Sequence, residues 1–145
     1  MRGKRLKVYA AVLYALSAAF VLRILGQAIQ RFRPVSLLPP FEAFQGSSLP
    51  YAVLLASQIV ILGVMVRYAG RLGRGVLVPG RGAGIVLAVA GGAYLAGSLG
   101  RIAIGLLVPD ALPWFRAWIP ALFHVVLALY VVILAHYHVV ESRPR

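Results

Sequence analysis

The chain is 145 residues long, 61% of them apolar, and fifteen lysines and arginines against three carboxylates give it a net charge of +12. Apolar runs longer than the ~18 residues of a membrane crossing exclude a soluble globular domain, and four crossings of ~20 residues leave no length for a soluble catalytic one. The lack of cysteine excludes disulfides, thiolate nucleophiles, iron–sulfur clusters and thiolate zinc sites.

The first helix is predicted over residues 8–30 and ends at Arg31, Arg33 and Pro34. Met1 to Phe20 has the make-up of a signal peptide, but the apolar pattern continues past Arg23 to Ile29, so the segment is read as a retained membrane helix. Residues 32–50 contain Pro39-Pro40, Gly46-Ser47-Ser48 and the fragment Phe41-Glu42-Ala43-Phe44. Too long for a minimal turn and too apolar to float free, they predict an outer loop on the membrane interface with one short helical turn.

A second helix follows over 51–68, then a Gly/Arg-rich connection whose Gly80, Gly82 and Gly84 do not complete a dinucleotide fingerprint. In the third helix, 83–108, Gly84, Ala88, Gly92, Ala96 and Gly100 recur every fourth residue. Such a smooth stripe lets a backbone approach closely, which predicts a neighbouring helix, a second copy of the chain or a flat ligand against it. Pro109, Asp110 and Pro113 form the last outer turn, and Trp114, Phe115 and Trp118 supply an interfacial aromatic belt. The fourth helix, 114–138, contains Pro120 in its first turns or at a modest kink.

The basic residues fall in groups between the apolar segments, which makes them signals of topology rather than a nucleic-acid surface. Arg2, Lys4, Arg5 and Lys7, then Arg67, Arg71, Arg74 and Arg81, then Arg143 and Arg145 mark three cytoplasmic regions by the positive-inside rule. The expected fold is therefore an all-α membrane protein, a single four-transmembrane-helix bundle in the cell's inner membrane with both termini cytoplasmic.

Strongly polar residues interrupt these spans. At ~1.5 Å rise per residue, Arg23 and Arg101 fall roughly 10 to 12 Å, and Gln58 and His124 about 10 to 15 Å, below the outer surface. Gln27 and Gln30 share the face of Arg23. A buried arginine needs a partner, and the carboxylates within reach, Glu42 and Asp110, are in outer loops. The readings left open are snorkelling to the interface, a loop ion pair, or an anionic or amphiphilic ligand. Ser98 in Gly97-Ser98-Leu99-Gly100 is no nucleophile elbow and lacks an orienting carboxylate, so no catalytic residue and no metal centre is assigned.

His138 lies fourteen residues after His124, on nearly the same helix face. That spacing resembles the histidine pairs that hold two stacked haems in the cytochrome b family, but it covers one helix and implies a partner subunit to complete the ligation. The layout, with Arg23 late in the first helix and a proline-containing outer loop, is similar to that of the small four-helix DoxX-type membrane proteins. No motif carries residues across from that family, and none is assigned.

The expectation is a small membrane subunit or packing partner of a larger assembly. Its outer-leaflet pocket of Arg23, Gln27, Gln58, Arg101 and His124 would hold a lipid head group, a quinone or a cofactor carboxylate. The alternatives are a homo-oligomeric channel or carrier for a small anion, its path lined by the same arginines, and a b-type haem protein using His124 and His138.

Overall fold

A computed structural model describes residues 2–45 and 49–142. Gly46, Ser47 and Ser48 of the outer loop, Arg143 and Arg145 of the terminal basic cluster, and Met1 lie outside the described residues. Among those described the protein is all helical: α1 (Arg2–Phe32), α2 (Phe41–Phe44), α3 (Tyr51–Gly73), α4 (Arg81–Leu107), α5 (Pro113–Arg116) and α6 (Trp118–Glu141). Four of these, α1, α3, α4 and α6, are long and apolar enough to cross a membrane. Large apolar side chains such as Leu22 (70% exposed) and Val86 (68%) point outward, as a hydrocarbon solvent allows.

Helix boundaries follow local chemistry. α3 continues a turn beyond the expected residue 68 and stops where Gly75 takes the left-handed conformation (φ 71°). There Gly75 N–H donates to the Leu72 carbonyl and Val76 N–H to that of Arg71, which satisfies carbonyls the helix end would orphan. The last predicted helix is broken at Ala117 (ψ 77°) into α5 and α6. Pro120 is the reason: in a continuous helix it would lack the N–H for the Arg116 carbonyl, whereas as the third residue of α6 it sits where no intrahelical donor is needed.

The spans pack in the order α3, α1, α6, α4, with α2 lying on α1 and α6 and α5 on α4. Tyr130 of α6 also reaches α3, donating to the Met65 carbonyl at 2.5 Å. The α3–α4 connection is tied to α6, because Tyr137 donates to the Leu77 carbonyl (2.5 Å) and Gly80 N–H to Nδ1 of His138 (3.0 Å). At the same end Arg5 pairs with Glu141 at 3.5 Å and Tyr9 bonds His136 at 2.7 Å, joining α1 to α6. Between α3 and α4 runs an apolar groove of about 900 Å³, floored by α6.

The face of α4 that meets α6 is not the stripe of every fourth residue. Of that stripe Gly84 packs closely: an added Cβ would come within 2.9 Å of His138 Cβ and of the Val139 backbone nitrogen. Ala88, Gly92 and Ala96 face outward, and a Cβ on Gly92 or Gly100 would meet nothing within 4 Å. The contact face instead repeats every seventh residue, through Gly84, Gly91, Ser98 and Gly105. A four-residue step advances 40° around a helix and so winds off any one face, while a seven-residue step stays on it. Accordingly, Gly84→Ala or Gly91→Ala should lower stability by about 1–3 kcal/mol through overpacking. Gly92→Ala should be neutral or stabilising by up to about 1 kcal/mol. Thermal unfolding of the three variants in detergent measures the contrast, and equal behaviour would refute this packing face.

Candidate functional site

The segment after α1 folds back because one side chain gathers its backbone. Gln30 donates from Nε2 to the carbonyls of Leu38 (3.1 Å) and Pro39 (2.7 Å), while its Oε1 accepts Val35 N–H (2.7 Å). That hold sets α2 against the helices and drives Phe44 inward to 5% exposure. The Phe44 ring would lie 3.4 Å from a Cβ on Gly26. One turn deeper, Arg23 donates from Nη2 to the Phe44 carbonyl at 3.1 Å, and its guanidinium lies 5.5 Å from the centre of the Phe123 ring.

The second half solves the same problem in the same way. Arg101 donates from Nε and Nη2 to the Trp114 carbonyl (3.1 and 2.7 Å) and from Nη2 to that of Ala117 (3.4 Å). Its guanidinium stacks 3.9 Å from the centre of the Trp114 ring. Gly105 makes this possible, since a Cβ there would overlap the Phe115 carbonyl oxygen. Backbone carbonyls, rather than the Glu42 or Asp110 carboxylates, take the hydrogen bonds of both arginines.

The two arginines nevertheless stand in different surroundings. Arg23 lines a cavity of about 250 Å³ together with Ser57, Gln58, Pro120, Phe123 and His124. Beside it Gln58 donates from Nε2 to Oε1 of the fully buried Gln27 at 3.2 Å. That leaves Arg23 Nε, Gln27 Nε2 and Gln58 Oε1 sealed from solvent without a hydrogen-bond partner. Turning both amides over exchanges the roles of the two glutamines and still leaves one donor and one acceptor unmet. His124 takes part through Nδ1, bonded to the Tyr94 hydroxyl of α4 at 2.6 Å.

Of the five expected pocket residues, the structure thus gathers Arg23, Gln27, Gln58 and His124, and gives Arg101 a separate task in holding α5. Sequence reasoning missed Tyr94, whose one signal was its position seven residues before Arg101, on the same face of α4. It also missed the carbonyls of Phe44 and Trp114, which no side-chain pattern announces. No protein-family model, curated protein or solved structure matches this chain. The DoxX-type and cytochrome b-type resemblances rest on layout and histidine spacing alone.

Arg101→Gln should cost about 1.5–3 kcal/mol, as charge-assisted hydrogen bonds to two carbonyls are lost, and should release α5 from α4. Exposed Arg116 then becomes a faster site of tryptic cleavage than in the parent protein. Unchanged cleavage would show that Arg101 does not hold that segment.

Proposed function

We propose that this protein is an inner-membrane component with both termini cytoplasmic, and that the cavity at Arg23 binds the polar head of an anionic or amphiphilic molecule. The buried Arg23 guanidinium, with its own Nε and two neighbouring glutamine amide atoms unpartnered, carries this reading. Each such atom costs roughly 1–3 kcal/mol when left unmet; an oxygen of a bound group can accept from Arg23 Nε–H, while the amide oxygen needs a donor such as a hydroxyl. Lipid head groups, quinones and cofactor carboxylates all present such oxygens.

Binding, not turnover, is the activity proposed, with the protein acting as a subunit or packing partner. The outward face of Ala88, Gly92 and Ala96 is available to a second copy or another membrane helix. A channel lined by both arginines is less favoured, because Arg101 is engaged by the Trp114 and Ala117 carbonyls and does not line the Arg23 cavity. Paired haem ligation is less favoured too. His138 Nδ1 accepts Gly80 N–H, which puts the ring proton on Nε2 and removes the lone pair an iron would need.

Native mass spectrometry of protein extracted from its own membrane tests the cavity. The parent and Arg101→Gln proteins should retain a small-molecule adduct that Arg23→Gln loses, and equal retention by Arg23→Gln would overturn the proposal. Orientation has its own check: basic residues beside the α3–α4 connection support the reading that it and both termini lie on the cytoplasmic side. A reporter active only outside that membrane, fused after Arg145, should stay silent.

A further inference from the structure

The Arg23 cavity is not closed. It shares Ile61 and Leu127 with the groove between α3 and α4, and Tyr94 on the groove wall bonds His124 on the cavity wall. The chamber and the apolar trough are thus neighbours that share a wall, meeting at Ile61 and Leu127. Val60 and Val64 from α3, Val86 and Leu87 from α4, and Val131 and Leu134 from α6 line the trough. Val64 (51% exposed) and Val86 (68%) form its rims, so it opens sideways toward the bilayer. Three of the polar groups along it are already engaged: Tyr130 donates to Met65, Tyr94 bonds His124 and His138 accepts from Gly80. From Leu127 to His138 the floor runs about 16 Å along α6.

We infer that the ligand is a single-chain anionic amphiphile, its carboxylate or phosphate head at Arg23 and its tail in the trough between α3 and α4. The inference rests on reading the Arg23 cavity as a ligand site. Charge decides the head: the guanidinium has one carbonyl partner and an unpartnered Nε–H, and no carboxylate is among the residues that line its cavity, so an anionic oxygen is its best complement. A single tail is assigned because the way from cavity to trough runs past Ile61 and Leu127, the two residues both spaces share. A helix of a second copy could cover the trough but would bring no anion to Arg23.

The full chain in zwitterionic-lipid nanodiscs, titrated with hexanoate, dodecanoate, palmitate and dodecanol, separates head from tail. Dodecanoate and palmitate should bind at least about a hundredfold more tightly than hexanoate, because the added methylenes are buried. Dodecanol should bind about tenfold more weakly than dodecanoate, and Arg23→Gln should erase that difference. Val64→Trp/Val86→Trp fills the trough from its exposed rims without entering the core. It should erase the chain-length dependence while hexanoate still binds, which shows the variant to be folded. If hexanoate binds as well as palmitate and Arg23→Gln abolishes both, the tail assignment falls and the head site stands. Equal binding of dodecanoate and dodecanol, unaffected by Arg23→Gln, removes the head site. Failure of every probe to bind, with the tryptophan pair dissociating an oligomer, assigns the trough to a second copy and overturns the inference.

Discussion

A guanidinium placed inside an apolar helix bundle must find oxygens, and the protein meets that demand twice by bending an outer segment back into the bundle. Arg23 reaches the Phe44 carbonyl of α2, and Arg101 reaches the Trp114 and Ala117 carbonyls around α5. Short helices suit the purpose because their last carbonyls have no intrahelical partner and point along the axis. The glycines at Gly26 and Gly105, the hold of Gln30 on its loop and the break at Ala117 all serve that approach. The arginines thus add to the hold of Gln30 in drawing these segments inward.

This common solution exposes a repeated plan. Each half is a long helix with a buried arginine, a four-residue helix and a second long helix carrying a polar residue near its start, Gln58 in α3 and His124 in α6. In the second half α4 takes the place of α1, and α6 that of α3. The contact of α1 with α6 therefore corresponds to a contact of α4 with α3, yet those two helices face each other across the apolar groove. The groove is the place where the repeat departs from symmetry.

The four apolar spans were legible in the sequence, because hydropathy and length set them. Direction around each helix axis was not. Arg23 and Arg101 are both buried, but which space each faces depends on neighbours that a single sequence does not reveal. The same limit explains the stripe on α4, where the eye follows Gly84, Ala88, Gly92, Ala96 and Gly100. The packed series of Gly84, Gly91, Ser98 and Gly105 has fewer and more widely spaced members. Gly75 did carry a readable stop signal for α3, since a glycine after Arg74 fits the left-handed residue that ends a helix.

The two arginines finally act as controls for each other. They are the same residue type, buried to 8% and 6% exposure, each beside an aromatic ring and a folded-back helix. Arg101 places Nε and Nη2 on carbonyls and does not line the Arg23 cavity. Arg23 leaves Nε unmet next to two half-satisfied glutamines and about 250 Å³ of open space. Folding alone is served by the Arg101 arrangement, so burial does not by itself require an unpaired donor. The shortfall at Arg23 borders a cavity that meets the apolar groove at Ile61 and Leu127.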